Sequence, residues 1–399
     1  MTSGGSATSY GDVIQRTREG NVLFSVMLEL TYRCNLDCFF CYNDLDLRGK
    51  TLSLDRYSEL LDELQELGVL HLILTGGEPL ASPYFFELGR RARELRFAVR
   101  VKSNGHALHG HLARRLRDEV DPMIVEVSLH GATAETHERQ TRVQGSFRRL
   151  LDNLVEMQKL GLRLKINSTL TCWNEDEIEA MFDLADGLGL PLQFDPEVTP
   201  RDDGDRSPLT IAPSRSGLTR LFRLQQRRAQ RYAAGQAETP SPPPAREGDQ
   251  VAAAPASGGY CGAGTNSLTI DPFGKVYPCV QWRRPVGDLH RQSVSDIWHG
   301  IGALRDVRRE NAAARSSLVV LGQEAGLASF CPGQAAVRTG RADTLYPEAL
   351  ERVELRRAAT ADADLYSTDQ GSPLRENVSL RTGMVSARPV SVSITGSQR

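Results

Sequence analysis

Short apolar runs alternate with amphipathic stretches between residue 24 and about residue 200. The runs predict six strands, at Phe24–Leu30, His71–Leu74, Ala98–Val101, Ile124–Leu129, Leu162–Thr169 and Pro191–Phe194. Apolar residues at helical spacing predict helices between them, as at Leu54–Leu67, Tyr84–Leu95, Phe147–Leu160 and Glu175–Leu188. This alternation predicts βα units, a parallel sheet and an α/β fold. The run Ile124–Val127 is mostly apolar, so we expect strands that are buried on both faces.

The pattern changes after residue 200. A helix is predicted at Ser216–Ala234, and a turn at Asp271–Gly274 joins two short strands in a hairpin. A short helix follows at Val294–Trp298. Residues 236–259 are rich in Pro and Ala and predict a linker, whereas residues 1–23 and 358–399 predict flexible termini. The expected units are therefore a main domain over 24–235 and a smaller domain over 260–357.

Charge and composition narrow the function classes. The 399 residues include 48 Lys and Arg against 50 Asp and Glu, so no basic field favours nucleic acid or an anionic membrane. No apolar run is long enough for a membrane helix, and the first residues lack a signal-peptide pattern, which indicates a cytoplasmic protein. Seven cysteines in such a chain favour metal or redox chemistry over a disulfide framework.

Three of these cysteines directly follow the first predicted strand. Cys34, Cys38 and Cys41 have the spacing C-x3-C-x2-C. Thiolates are soft ligands that suit an iron–sulfur cluster or zinc. Three of them bind three corners of a cubane and leave the fourth iron open to a substrate or cofactor. A structural zinc knuckle is the alternative, but zinc sites usually close with four ligands, and the next histidine is His71.

This motif, with Phe39, Phe40 and Tyr42, resembles the signature of the radical S-adenosylmethionine (SAM) superfamily. The resemblance implies a partial (β/α)6 TIM-like barrel and a [4Fe–4S] cluster whose open iron chelates SAM. It further implies one-electron cleavage of SAM to a 5′-deoxyadenosyl radical, which abstracts hydrogen from a substrate, and a flavodoxin- or ferredoxin-type electron donor.

Further segments at predicted strand ends are similar to the family's SAM contacts. The resemblance assigns cofactor binding to Tyr42, Gly76, Gly77, Glu78, Pro79, Ser103, Asn104, Ser128 and Arg139. Arg142 is the alternative to Arg139 as the partner of the SAM carboxylate. His130 is a candidate acid or base, and a loop histidine with no catalytic role is the equal alternative. The carboxyl ends of barrel strands are where such sites lie.

A second set of cysteines, Cys261, Cys279 and Cys331, flanks the predicted hairpin and a later C-P-G segment. It resembles the auxiliary iron–sulfur domain called SPASM, or its shortened form called twitch. Relatives often carry another cysteine where this chain has Ala328, so at most one auxiliary cluster is expected, with three thiolates. Its fourth iron is then open, or is bound by a remote ligand such as His290 or His299, or the cluster never forms.

The remaining thiol, Cys172, is expected to be a packed or half-exposed side chain rather than a ligand.

The segment Phe194–Gly204 resembles a segment of peptide maturases, which modify ribosomally made precursor peptides (RiPPs). The leading hypothesis is therefore a radical SAM peptide maturase that installs a crosslink or related modification. Modification of a small molecule such as a haem precursor is the alternative, and a non-catalytic iron–sulfur redox sensor is a remote one. Too few residues precede Phe24 for a leader-binding domain, so leader recognition falls to a separate protein or to the barrel itself.

Overall fold

A computed structural model describes residues 9–44, 46–233 and 261–368. The predicted linker at 236–259 lies outside the described residues, as does the chain beyond residue 368. None of the helices in the described ranges is long and apolar enough to cross a bilayer.

Six parallel strands form the centre of the molecule, in the order 6-5-4-3-2-1 across the sheet. They are β1 (Ser25–Glu29), β2 (His71–Thr75), β3 (Ala98–Ser103), β4 (Ile124–Ser128), β5 (Leu164–Thr169) and β6 (Leu192–Asp195). All six lie where the sequence predicts strands, and each β-strand pairs with its neighbour in parallel register. The α/β fold with a partial barrel is therefore confirmed.

Helices connect these strands. They are α1 (Tyr10–Glu19), α2 (Leu54–Glu66), α3 (Phe85–Glu94), α4 (Gly110–Arg115), α5 (Ala134–Thr141), α6 (Ser146–Lys159), α7 (Ile178–Gly187) and α8 (Arg215–Ala233). A π-helical segment, Leu116–Val120, continues α4. Short 3₁₀ turns lie at Pro79–Ala81 and Ser207–Ile211.

The C-terminal part of the chain extends the same sheet. Strand β7 (Ser267–Ile270) pairs in parallel with β1, and β8 (Lys275–Tyr277) and β9 (Gly287–Asp288) follow in antiparallel order. The result is one nine-stranded sheet. The smaller unit is therefore joined to the barrel by more than the linker, because its first strand, β7, forms backbone hydrogen bonds with β1.

The remaining helices are α9 (Val294–His299), α10 (Ala303–Leu318), α11 (Pro332–Thr339) and α12 (Pro347–Thr368), with a 3₁₀ segment at Val319–Ala328. α10, α11, α12 and the 3₁₀ segment enclose a second apolar core that includes Leu318, Phe330 and Tyr346, whereas α9 packs on the main core. The flexible tail predicted from residue 358 is wrong as far as Thr368, because α12 continues to that residue and packs on α8.

The two faces of the sheet differ in chemistry. Val26, Leu28, Leu72 and Val101 belong to the face that packs against the helices and are fully buried. The opposite face carries charged side chains, among them Glu126, which is 3% exposed. β4 is therefore buried on both faces, as expected, but one of these faces carries a charge.

Glu126 is tolerated because cations and an amide surround it. Arg100 and Lys102 of β3 form ion pairs with its carboxylate, and Asn167 Nδ2 donates to Oε2 at 2.6 Å. Burial raises the pKa of this carboxyl, but the positive charges outweigh burial and hold the pKa at about 2.

The N-terminal stretch is also more ordered than predicted. Helix α1 begins with a capping box, in which the Ser9 hydroxyl accepts from the Asp12 N–H and the Asp12 carboxylate accepts from the Ser9 N–H. Ile14 is buried, and the Tyr10 hydroxyl contacts His71 Nε2 at 2.8 Å. The prediction of a flexible 1–23 segment is therefore wrong for Tyr10–Glu19, where a local cap and one buried side chain order a polar sequence.

Candidate functional site

The loop after β1 carries the first three thiols. Cys34, Cys38 and Cys41 are half-buried and form no disulfide. Burial raises the pKa of Cys41 to about 11, and burial together with the two neighbouring thiols raises the pKa of Cys38. The thiols are therefore protonated in the metal-free chain and would release protons on binding iron.

No three His, Cys, Asp or Glu side chains in the described ranges are arranged to hold a single metal ion. Three soft sulfur donors on one loop, without a fourth such ligand, suit a cluster with an open iron.

The Gly-Gly segment after β2 lies directly against the chain that enters the cysteine loop. The Gly77 N–H donates to the Thr31 carbonyl at 2.7 Å, and the Glu78 N–H donates to the Arg33 carbonyl at 2.8 Å. A Cβ on Gly76 would lie 2.3 Å from the Thr31 oxygen, and Gly76 has a φ of +142°. Only glycine permits this approach. Contact of these glycines with SAM stays a prediction, but their support of the cysteine loop is visible.

The Glu78 side chain joins two strand ends to the first cysteine. Its buried carboxylate accepts from the Ser103 hydroxyl at 2.9 and 3.0 Å and from the Asn104 N–H at 2.9 Å. Asn104 Nδ2 then donates to Asn35 Oδ1 at 2.7 Å and lies 3.7 Å from Cys34 Sγ. Burial raises the pKa of Glu78 to about 7, although the backbone N–H of Asn104 and the Ser103 hydroxyl oppose this rise. These residues position Cys34, whatever contact they make with SAM.

Aromatic residues of the loop pack against the ends of later strands. The Phe40 ring meets His130 edge-on at 4.6 Å, and Phe39 lies 5.2 Å from Trp173. Tyr42 is the third of these residues, and its hydroxyl donates to Glu29 Oε1 at 3.4 Å. Because their rings fix the loop to β1, β4 and β5, the motif's aromatic positions have a structural role here.

His130 is buried and neutral. Burial lowers its pKa to about 3, with a further contribution from His137. The Thr169 N–H points at His130 Nδ1 at 3.4 Å, and the His130 N–H donates to His137 Nδ1 at 3.1 Å. A catalytic role of His130 as an acid or base stays a prediction. The alternative of a packed loop histidine fits the contacts better.

The two candidate arginines lie on the outside of the same aromatic group. The Arg139 guanidinium stacks 4.5 Å over Trp173, whereas Arg142 stacks 4.6 Å over Phe39 and pairs with Asp37 at 3.2 Å. Arg142 is therefore the one that touches the cysteine loop.

Ser128 ends β4, as predicted, and its role stays a prediction.

Sequence reasoning missed the functional importance of the loop after β6. Arg201 donates to the carbonyls of Cys41 and Phe39, both at 3.2 Å, and the Asp202 N–H donates to the Tyr42 carbonyl at 2.8 Å. The signal was present, because Arg201 belongs to the maturase-like segment, but that segment was assigned to the substrate rather than to support of the cysteine loop.

Arg283 connects this loop with the C-terminal unit. Its guanidinium binds both oxygens of Glu29, at 2.7 and 2.9 Å, and Nε donates to Asp202 at 3.1 Å. Burial opposes the charge of Arg283, but the two carboxylates outweigh burial and raise its pKa further. Burial raises the pKa of Asp202 to about 7 in spite of the adjacent guanidinium. No local motif indicates this contact, since Glu29 and Arg283 are far apart in the sequence.

The second set of thiols comes together from three separate segments. Cys261 and Cys279 both pack against the small apolar cluster that includes Ala263 and Trp282, and the Cys331 thiol contacts Gln281, the neighbour of Trp282. Burial raises the pKa of all three thiols. Asn311 of α10 holds Cys261 by accepting from its N–H at 3.1 Å and donating to its carbonyl at 2.9 Å. The donor chemistry again suits an iron–sulfur cluster.

Neither predicted histidine ligand is available to this set. His290 Nε2 contacts the Lys50 carbonyl at 3.0 Å, and His299 Nδ1 contacts the Ser295 carbonyl at 3.2 Å, both at the surface. Ala328 is fully buried. Cys172 is exposed, and burial together with Glu175 raises the pKa of its thiol.

Comparison with known proteins agrees with this geometry. The radical SAM superfamily matches residues 28–185, and an iron–sulfur cluster-binding domain of the SPASM type matches residues 261–317. An AdoMet-dependent heme synthase from Methanosarcina barkeri is 27% identical over 70% of this chain and 83% of the relative. The PqqA peptide cyclase of Ruegeria pomeroyi is 31% identical over 64% of this chain and 67% of the relative.

Among solved structures, anSMEcpe with bound AdoMet and a peptide superposes with a TM-score of 0.66. Its sequence is 15% identical, and the match covers 87% of this chain and 99% of anSMEcpe. At this identity the match supports the fold.

A partial barrel with three thiols after its first strand, joined to a second cluster-binding unit, defines an iron–sulfur enzyme that uses SAM. The chain belongs to the radical SAM superfamily. Its cofactors are the SAM-binding [4Fe–4S] cluster, SAM itself and auxiliary iron–sulfur chemistry in the SPASM unit.

Proposed function

We propose that this enzyme modifies a ribosomally made precursor peptide, by abstracting a hydrogen atom from one of its side chains and forming a crosslink or a related product. The observation that carries the proposal is the position of the maturase-like segment after β6. Arg201 binds the backbone of the cysteine loop, and Glu197 pairs with Arg338 of α11, the helix that begins after Cys331. The segment thus lies against elements that carry both sets of thiols. The peptide cyclase relative supports the same substrate class.

When bound, the cluster and SAM would supply a one-electron cleavage that yields the 5′-deoxyadenosyl radical. The described side chains position this chemistry. Cys34, Cys38 and Cys41 would bind the cluster, while Glu78 and Asn104 orient Cys34 through the hydrogen bonds described above. The polar inner face of the sheet, with Arg100 and Lys102 around Glu126, can bind polar groups of a substrate.

The partners follow from the same proposal. A flavodoxin- or ferredoxin-type protein of the cytoplasm would supply the electron, since such clusters require a reducing compartment. A separate protein would bind the leader of the precursor, or the barrel itself would do so.

The test is incubation of reconstituted enzyme with SAM, dithionite and a short peptide whose gene neighbours this one. We expect a change in peptide mass and formation of deoxyadenosine above the level without peptide. Cys34→Ala, as the matched control, should give neither. Deoxyadenosine formation without any change in the peptide would contradict the peptide substrate while leaving SAM cleavage intact.

A second candidate is modification of a haem precursor. It is favoured by the heme synthase relative, of which this chain covers 83%. The same assay with an iron porphyrin in place of the peptide separates the two candidate substrates. Only the true substrate should increase deoxyadenosine formation and itself change in mass.

A further inference from the structure

The auxiliary site has three thiols and needs a fourth ligand if its cluster is to be closed. A cubane has four irons, and Cys261, Cys279 and Cys331 account for three of them. The histidines that the sequence offered are engaged at the surface. The fourth ligand must therefore come from another side chain next to the thiols, or be absent.

Gln281 lies next to two of the three thiol-bearing residues. The Cys331 thiol donates to Gln281 Oε1 across 3.3 Å. Gln281 also follows Cys279 by two residues, inside the short bridge between Cys279 and Trp282. The amide oxygen of Gln281 therefore lies against one thiol, and its backbone lies close to the residue that carries another.

Two contacts fix the backbone around Gln281. The Trp282 N–H donates to the Cys279 carbonyl at 3.0 Å and closes a tight turn that contains Gln281. The first turn of α11 lies directly on this turn, since a Cβ on Gly333 would be 2.4 Å from the Gln281 carbonyl oxygen. Cys331 itself caps α11. The same contact that places Cys331 thus places Gln281.

Other oxygen donors near the thiols are less suited. Glu197 is already bound by Arg338 at 3.4 Å and Arg352 at 3.9 Å, and it accepts from the Tyr346 hydroxyl. Gln334 Oε1 is buried without a hydrogen-bond partner, but Gln334 reaches Cys331 through its backbone. Gln334 is therefore the rival that an experiment must separate from Gln281.

We propose that Gln281 Oε1 is the fourth protein ligand of the auxiliary [4Fe–4S] cluster. Iron binding would replace the S–H···O contact once the Cys331 thiol has lost its proton. An amide oxygen is neutral and harder than a thiolate. The cluster would therefore carry one negative charge fewer than a four-thiolate cluster, and its reduction potential would be higher. The proposal rests on the auxiliary cluster of the proposed enzyme but not on the identity of its substrate.

The experiment uses the full chain with Cys34, Cys38 and Cys41 all replaced by Ala, so that only the auxiliary cluster remains. Iron and sulfide content, electron paramagnetic resonance (EPR) spectra and the midpoint potential are compared for this parent, Gln281→Ala, Gln281→Cys and Gln334→Ala. We expect one [4Fe–4S] cluster in the parent. Gln281→Cys should lower the potential, because a thiolate stabilises the oxidised cluster.

Gln281→Ala should alter the EPR spectrum and let added cyanide bind at least about tenfold more tightly than in the parent, a difference of about 1.4 kcal/mol. Gln334→Ala should behave as the parent. If Gln281→Ala instead loses iron and Gln281→Cys regains it, the assignment also holds.

Four outcomes would overturn the proposal. The first is a parent protein that contains no iron, and the second is an EPR spectrum and midpoint potential that stay the same in the Gln281 variants. The third is a spectrum or potential altered by Gln334→Ala instead. The fourth is loss of iron in both Gln281 variants. None of these measurements uses a peptide. A failure of the peptide assay therefore leaves this test intact, and the reverse also holds.

Discussion

The two sets of thiols are built in different ways. The first lies on one loop of eight residues, Cys34 to Cys41, and it is held by the segment after β2 and by the loop after β6. The second gathers Cys261, Cys279 and Cys331 from three segments, and Asn311 and α11 bring them together. The first set is therefore supported by segments that follow neighbouring strands. The second set depends on the whole C-terminal unit being folded.

The sharpest test of this comparison removes one thiol from each set. Cys34→Ala should abolish deoxyadenosine formation, because the SAM-binding cluster loses one of only three protein ligands. Cys279→Ala should remove the auxiliary cluster's iron yet leave SAM cleavage measurable. Iron counting and chromatography of deoxyadenosine distinguish the two, with the exposed Cys172→Ala as the control for thiol loss. Equal loss of SAM cleavage in both variants would show that the sets are not independent.

Arg283 tests the connection between the two regions. Arg283→Met leaves Glu29 and Asp202 buried without their cation, and we expect a loss of about 3 to 5 kcal/mol in the free energy of unfolding of the metal-free chain. Denaturant titration measures it. Arg284→Met is the matched control, since its half-exposed ion pairs with Glu310 and Asp306 should contribute below about 1 kcal/mol. Similar losses in both would contradict a buried connection.

Glu126, on the inner face of the sheet, belongs to neither set of thiols and serves as a reference for their effects on stability. The folded-state pKa of Glu126, about 2, lies below the ordinary 4.5, so its ionised form stabilises the fold above pH 4.5 and this stabilisation is lost as the pH falls towards 2. Glu126→Gln should cost about 2 to 3 kcal/mol at pH 7 and progressively less below pH 4.5. Urea titrations over this range measure it. A cost independent of pH would indicate a packing effect instead.

Glu78 tests how the local set is supported. Glu78→Ala leaves the Asn104 N–H and the Ser103 hydroxyl without their acceptor, which frees the side chain that contacts Cys34. We expect SAM cleavage to fall by about 10- to 100-fold, with iron in the auxiliary set unchanged. Glu94→Ala, on the exposed side of α3, is the control. If auxiliary iron falls equally, Glu78 supports general folding rather than the cysteine loop.

Sequence patterns predicted the features that depend on residues close together in the chain. The six parallel strands, the hairpin and the C-x3-C-x2-C motif depend on spacing within short segments, and so they were readable. The capping box at Ser9 was readable in principle, but the polar composition around it concealed a helix. The pairing of β7 with β1 could not be predicted from the sequence, because it joins strands more than 200 residues apart.

Charge inside the barrel was concealed for a related reason. Glu126 within an apolar run resembles an interruption until the neighbouring strand places Arg100 beside it. Arg283 and Gln281 likewise acquire a role only through partners that the fold supplies. The sequence identified thiol ligands by type, but a neutral amide has no pattern that marks it as a ligand.

The parallel pairing of β7 with β1 has a consequence for how this enzyme is divided. A shortened chain that stopped after α8 would leave β1 as an open edge, with unpaired N–H and C=O groups on the strand that leads into the cysteine loop. Such a fragment would tend to self-associate rather than behave as a free-standing catalytic module. The C-terminal unit therefore completes the pairing of the strand from which the SAM-binding thiols follow.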